Sequence, residues 1–364
     1  MKILVTGAHF TPAVAVIEEF KKRPNIEIVY IGRNTTREGD TSPSIESQVL
    51  PDLGIKFIPI ITGRLQKDFT LFTIPSLLKI PIGFMQALFF ILGEKPDVIL
   101  SFGGYVAVPL VFIGWLFSIP IIVHEQTLVS GLANKISSVF ATKIALSFKN
   151  QKKLNDKIIV TGNPLRAIII KANPSINYEI IKYAKKQRKP IILITGGNQG
   201  SHTINEAVEN CIDKLAKIAC VIHITGDNKF KDFEKLEKLE TASYKVFKWI
   251  DEEYGAVLSN ADLVVSRAGV NTLSELAFVG KPALVIPIPY LYKDEQNQNA
   301  KFFESVGLVR ILPQSKLSGY TLMENIKLML KNIEKLTKKV KGAEKIIIPD
   351  AAKRLALETI LLTK

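Results

Sequence analysis

Short apolar runs, each closed by a polar or glycine turn and followed by a helical stretch, recur along almost the whole chain, and few folds accommodate that rhythm. Lys2–Val5, Ile26–Ile31, Ile55–Ile60, Val98–Ser101, Ile119–His124 and Lys143–Ser147 are expected strands. Helices are expected from Pro12 to about Lys22, over Ile74–Leu92 with a break or kink at Pro81, over Val106–Phe117 and over Asn134–Phe140. Strands alternating with helices predict a parallel α/β sheet covered on both faces. The pattern resets around Ile158–Arg166. A second series opens with Lys189–Thr195 and a helix from about Thr203, and continues through Val221–Thr225, Tyr244–Phe247 and residues 261–300. It ends in an amphipathic helix over about Asp350–Leu362. At 364 residues the chain can hold two separate cores, so two doubly wound Rossmann-like domains facing across a cleft are expected.

Residues 261–300 are the most informative stretch. Leu263–Ser266 is a strand, Arg267-Ala268-Gly269 a turn, and a helix is expected from about Thr272. Amides at such a helix N-terminus lack internal partners and favour anions. Thr272 and Glu275 also fit a capping box, so Glu275 has two readings, cap or ligand contact. The loop Tyr290–Asn299, rich in donors and acceptors from Asp294 to Asn299, suits a nucleotide with its ribose, phosphates and sugar. Two more turns, Thr6-Gly7-Ala8-His9 and Gly196–Gly200, follow a strand and precede a helix, the context that holds phosphate. Tight geometry alone accounts for any one of them. Several at strand ends in both halves point to a phosphorylated ligand. GxxxxGK[ST] and GxGxxG are both absent, and no acid ends Ile26–Ile31, which disfavours a P-loop NTPase and a dinucleotide dehydrogenase.

The net charge of +14 suits anionic partners, although much of the excess is lysine spread over expected helices. Cys211 and Cys220 lack metal-ligand spacing and read as reduced thiols, with no metal site expected. Met1-Lys2 is followed by too short an apolar run for a secretory leader, and prolines interrupt both Phe69–Leu92 and Val106–Val123, so neither is expected to cross a bilayer. Phe69–Leu92 nevertheless carries Phe72, Ile74, Leu77, Leu78, Ile80, Ile82, Phe84, Met85, Leu88, Phe89 and Phe90 around Lys79, with Arg64 and Lys67 upstream. That pattern reads equally as an anionic-membrane surface or as a core helix. Of four histidines, His9 and His124, the latter beside Glu125, are acid–base candidates at strand ends. His202 and His223 read as structural or exposed.

Phe102-Gly103-Gly104-Tyr105, His124-Glu125-Gln126, Gly131-Leu132-Ala133-Asn134, Thr161-Gly162-Asn163-Pro164-Leu165-Arg166, GGNQG at 196–200 with Asn205-Glu206, SRAGVNTLSEL at Ser266–Leu276 and DEQNQNA at Asp294–Ala300 stand in one order along the chain. In that order they resemble the MurG family, which transfers N-acetylglucosamine from UDP-GlcNAc to lipid-linked N-acetylmuramoyl-pentapeptide in peptidoglycan synthesis. The resemblance implies a GT-B fold, with an acceptor domain over about 1–162, a UDP-sugar domain over about 163–344 and a C-terminal helix, 345–364, packing back on the first. It implies an inverting, metal-independent transfer without a cofactor, at the cytoplasmic face of the cell membrane. The partners implied are UDP-GlcNAc, an undecaprenyl-diphosphate-linked acceptor and an anionic membrane surface, with no nucleic acid.

By the same resemblance, Arg166 and the turn Gly197, Asn198, Gln199 and Gly200 would meet the donor phosphates. Arg267, Gly269, Val270, Asn271 and Thr272 would form the diphosphate turn, Ile250 would lie by the uracil, Glu275 would bind the ribose, and Gln296 with Asn299 the sugar. Thr6, Gly7 and His9 would face the acceptor diphosphate, and Tyr105, His124, Glu125, Thr127 and Asn134 would line the cleft. The chain departs from the family in a shorter first glycine loop, in Thr127 where asparagine is usual, and in Asn198 where serine is usual. Inversion requires a base on the attacking hydroxyl and an electrophilic cradle for the leaving UDP. His9 is the expected base and Glu125 the alternative. Another glycolipid glycosyltransferase of the same fold, for example one acting on diacylglycerol, a UDP-GlcNAc 2-epimerase, and a non-catalytic nucleotide- or membrane-binding module are the competing readings.

Overall fold

A computed structural model describes residues 1–35, 43–63, 73–149, 156–197 and 200–363. The chain divides into two compact units, one of Met1–Arg166 with Asp350–Lys364 and one of Ala167–Pro349. The divisions fall at 166 and 349 instead of 162 and 344.

In the first unit the described strands are β1 (Lys2–Thr6), β2 (Glu27–Gly32), β3 (Lys56–Pro59), β4 (Val98–Ser101), β5 (Ile121–Glu125), β6 (Lys143–Leu146) and β7 (Ile158–Val160). They form one sheet in the order β3-β2-β1-β4-β5-β6-β7, with every pair parallel. The order reverses direction between β1 and β4. Connections there leave to opposite faces, which opens a crevice at the carboxyl ends of those strands. One face is sealed by helix Phe10–Lys21 and by the C-terminal helix Ala351–Leu361, whose Ala352, Leu355 and Ala356 join Val16, Ile17 and Phe20 in the core.

The opposite face is covered by helices Thr73–Glu94, Ala107–Leu116 and Leu132–Phe140. The expected break at Pro81 does not occur: Thr73–Glu94 is one helix of 22 residues with Pro81 inside it. Proline removes one amide and crowds the preceding turn, so it deforms a helix without always ending it. Continuity also changes the length argument, since Leu77–Glu94 is long and apolar enough to cross a membrane by length and composition. Its packing is one-sided, however. Ala87 and Ile91 are buried while Ile74, Leu78, Ile82, Met85, Phe89 and Leu92 are exposed, at intervals of three and four residues. That spacing is a single helical stripe.

The second unit holds β8 (Ile191–Thr195), β9 (Cys220–Ile224), β10 (Tyr244–Phe247), β11 (Leu263–Ser266), β12 (Ala283–Val285) and β13 (Val309–Ile311). They pair in the order β10-β9-β8-β11-β12-β13, again all parallel. Here the reversal lies between β8 and β11. Cys211 and Cys220 are buried free thiols. Burial pushes Cys211 up to about 11 and raises Cys220 as well, so both are poor nucleophiles.

Candidate active site

In the first unit the turn after β1 meets the turn after β4 at the reversal. Phe102 donates its amide to the Thr6 carbonyl at 2.7 Å, and Ala8 donates to the Gly103 carbonyl at 2.9 Å. Gly7 has φ +138°, and a Cβ there would lie 2.7 Å from the Phe102 carbonyl carbon, so only glycine fits. Tyr30, from β2, donates its hydroxyl to the Gly7 carbonyl at 2.9 Å and pins the turn from below.

His9 is the N-cap of helix Phe10–Lys21 and is half-buried. The Gln126 side-chain amide donates to its Nδ1 at 2.8 Å. An acceptor Nδ1 leaves the neutral ring's proton on Nε2. Burial pulls the imidazole below its usual pKa, Glu125 opposes that shift and Arg33 reinforces it. Gln126 Oε1 is buried without a hydrogen-bond partner. The sequence marked Gln126 only as part of a motif; its contact with His9, 117 positions away, is tertiary.

Two expected cleft residues are differently placed. His124 is 1% exposed; its Nε2 donates to the Gly162 carbonyl at 3.2 Å and lies 3.2 Å from Ser147 Oγ. Burial holds it down to about 4, against the raising effect of the Gly162 bond, so its ring is neutral near pH 7. Glu125 is 4% exposed. Its Oε1 accepts from the Thr127 amide at 3.1 Å and the Thr127 hydroxyl at 2.8 Å, and its Oε2 from Asn134 Nδ2 at 3.0 Å. The carboxylate is therefore committed to holding Thr127 and Asn134, both buried. Tyr105 is half-buried and packs on the core below helix Ala107–Leu116. Arg166 is half-buried and closes the first unit.

In the second unit the turns after β8 and β11 flank the other reversal. Gly200 has φ +70°, and a Cβ there would lie 1.9 Å from the Thr225 carbonyl oxygen. Its amide donates to the Gly197 carbonyl at 3.0 Å, and the Gly197 amide donates to Thr195 Oγ1 at 3.2 Å. Asn198 and Gln199 lie outside the described residues. Helix His202–Glu209 starts at N-cap Ser201, and helix Val270–Val279 at N-cap Gly269, neither with a side-chain cap.

The expected capping box therefore does not form. The buried Val270 pulls the helix start forward, Thr272 becomes its third residue, and the N-cap Gly269 supplies no side-chain cap. Glu275 lies on the buried side of the same helix, 3% exposed. Arg267, only 8% exposed, joins the two turns: its Nε donates to Ser201 Oγ at 3.0 Å. Ile250 is half-buried after β10.

The expected polar loop is helical from Glu295 to Ser305, which puts Gln296 and Asn299 one turn apart. Gln296 Oε1 accepts from the Ile288 amide at 3.0 Å. Asn299 has no exposure, and its Nδ2 donates to the Ala268 carbonyl at 3.4 Å, so it supports the turn from beneath. His223 is also structural, between Tyr244 Oη at 2.9 Å and Asn205 Oδ1 at 3.1 Å. His202 pairs with Asp232 at 2.9 Å and stacks on Phe230. Among the described residues no group of three or more His, Cys, Asp or Glu is placed to hold a metal ion.

Residues 5–146 match the glycosyltransferase family 28 N-terminal domain and residues 191–355 its C-terminal domain. A relative from Clostridium kluyveri, named UDP-N-acetylglucosamine--N-acetylmuramyl-(pentapeptide) pyrophosphoryl-undecaprenol N-acetylglucosamine transferase, is 34% identical over 90% of both chains. One of the same name from Halothermothrix orenii is 33% identical over 96% of this chain and 95% of its own. The chain belongs to the MurG family. Acinetobacter baumannii MurG is similar in structure, with a TM-score of 0.74 at 25% identity over 99% of each chain. This MurG-family chain is thus a glycosyltransferase of the GT-B fold class. UDP-GlcNAc 2-epimerase from Neisseria meningitidis shares that fold, with a TM-score of 0.64 at 17% identity over 99% of this chain and 100% of its own, and the likeness extends no further than the fold.

Proposed function

We propose that the chain transfers N-acetylglucosamine from UDP-N-acetylglucosamine to an undecaprenyl-diphosphate-linked N-acetylmuramoyl-pentapeptide, with inversion at the anomeric carbon. The observation that carries this is the similarity to relatives of that name over nine-tenths of the chain, and the geometry of the second unit supports it. Two uncapped helix N-termini and the Arg267 guanidinium meet at the sheet reversal, a cradle for a diphosphate leaving group. In this reading Gly197, Gly200 and Val270–Thr272 hold the diphosphate. Ile250 lies against the uracil, Glu275 takes the ribose hydroxyls and Gln296 the sugar, while Asn299 and the Arg267 contacts keep the turns in place.

In the first unit, Gly7 and His9 receive the acceptor and His9 takes the proton of its hydroxyl. For that step Nε2 must be bare, so the Gln126 amide turns its oxygen to Nδ1–H; Oε1, partnerless as it stands, then gains a donor. Glu125, Asn134 and Thr127 shape the wall beside it.

In the same reading the exposed stripe Ile74, Leu78, Ile82, Met85, Phe89 and Leu92 lies in the headgroup region of an anionic membrane, at the cytoplasmic face beside the lipid-borne substrate. Trp115, Leu116 and Phe117 are exposed at the end of the neighbouring helix. Phe72, Arg64 and Lys67 lie outside the described residues.

The test is UDP release from UDP-GlcNAc with and without a lipid-linked muramoyl-pentapeptide analogue. Release that depends on this acceptor is expected. Release with diacylglycerol alone, or conversion of the sugar nucleotide with no acceptor, would replace the proposal by the other glycolipid transferase or by the epimerase.

A further inference from the structure

Arg267 is a buried cation whose hydrogen-bond partners among the described residues are all neutral. Besides Ser201 Oγ, its Nη1 donates to the Ile286 carbonyl at 3.0 Å and to Gln314 Oε1 at 2.7 Å. Among the described residues no aspartate or glutamate is hydrogen-bonded or ion-paired to it. It stands beside Ser201, the N-cap of helix His202–Glu209, and two residues before Gly269, the N-cap of helix Val270–Val279. Three sources of positive potential therefore share one corner, and each disfavours the others until an anion arrives. Burial of the guanidinium without an acid pulls its pKa below the usual value, the same imbalance seen from the proton's side.

The 2.7 Å contact is where a carboxylate would bind best. Glutamate has the shape of glutamine, and a charge-assisted bond to arginine is roughly twice as strong as a neutral one. A side chain selected only to fasten Arg267 would be glutamate. We infer that the neutral side chain of Gln314 sets the charge of this site, holding Arg267 without neutralising it so that its charge stays available to the ligand's diphosphate. Gln314 is a positioning residue in this scheme, acting through Arg267. The inference rests on the donor reading of the second unit and adds to it a residue outside the sequence motifs.

The test uses the full chain, with UDP and uridine as probes in calorimetry and with thermal unfolding measured in parallel. Gln314→Glu is expected to raise the unfolding midpoint by about 2 °C. It should weaken UDP binding roughly tenfold, a loss of about 1.4 kcal/mol, and leave uridine binding unchanged. Gln314→Met, which removes the acceptor but adds no charge, should lower the midpoint and keep UDP affinity within about threefold, because the cation remains uncompensated. Gln314→Glu thus gains stability while losing affinity, and Gln314→Met loses stability while keeping affinity, a split that a merely structural residue would not produce. If Gln314→Glu binds UDP as tightly as the parent chain, the inference is wrong. If the parent chain itself binds no UDP, the donor reading falls instead.

Discussion

Replacing Glu125 separates a catalytic base from a buried support. The carboxylate accepts three hydrogen bonds at 3.1, 2.8 and 3.0 Å from Thr127 and Asn134 while 4% exposed. In Glu125→Ala, the Thr127 hydroxyl keeps the Val129 carbonyl at 2.8 Å, whereas the Thr127 amide and Asn134 Nδ2 lose their short acceptor; at about 2 kcal/mol each, a loss of about 4 kcal/mol is expected. Glu125→Gln is milder for a specific reason. Its amide oxygen can keep both Thr127 bonds, and its NH2 group would face Asn134 Nδ2, donor against donor. Asn134 Oδ1 is buried without a partner, so a turn of the Asn134 amide converts that clash into a bond. What remains lost is the charge assistance, about 1 kcal/mol for each of two or three bonds. Urea unfolding should therefore place Glu125→Gln about 2–3 kcal/mol below the parent, and turnover per folded molecule should stay within about tenfold. A Glu125→Gln protein of parental stability that has lost a thousandfold or more in turnover would refute this reasoning and make Glu125 the base.

Three further outcomes follow from the same structure. His124 and His223 are held neutral by burial, at about 4 and about 3, whereas both titrate near 6.5 when unfolded. The unfolded chain thus binds more protons below pH 6.5, and stability should be complete above that pH and fall as pH drops toward 4, by on the order of 3 kcal/mol for each histidine. A urea midpoint that does not change between pH 7 and 5 would contradict it. Gly200→Ala combines a φ of +70° with a Cβ 1.9 Å from the Thr225 carbonyl oxygen, so UDP binding should be abolished in calorimetry while circular dichroism still reports a folded second unit; retained UDP affinity would show that the 196–200 turn does not hold phosphate. Leu78→Glu with Phe89→Glu, both on the exposed stripe, should abolish flotation with anionic liposomes and leave the unfolding midpoint within about 1 °C. Unchanged flotation would end the membrane assignment.

Most strands were legible because each is a local apolar run, and most of their boundaries lie within two residues of the expected ones, whereas β13 (Val309–Ile311) was not marked. Three further details were not legible. The helix over 73–94 runs through Pro81 because packing of Ala87 and Ile91 against the sheet outweighs one lost amide bond. Helix Val270–Val279 starts earlier than its Thr-x-x-Glu pattern suggested, because burial of Val270 decides the first turn. Residues 295–299 are helical although their composition reads as a loop.

The sequence by itself determined the two α/β series, the glycine turns that close their strands and, through motif order, the family. Those properties are local or ordered along the chain. Only the tertiary structure decided the strand order, and with it the two reversals that gather residues 6–9 with 101–105 and residues 195–197 and 200 with 266–270. It also decided that His124, Glu125 and Asn299 support the site from beneath, and it brought Gln126 to His9 and Gln314 to Arg267. These contacts span 117 and 47 positions, and no periodicity or spacing encodes a hydrogen bond closed by the packing of a whole sheet.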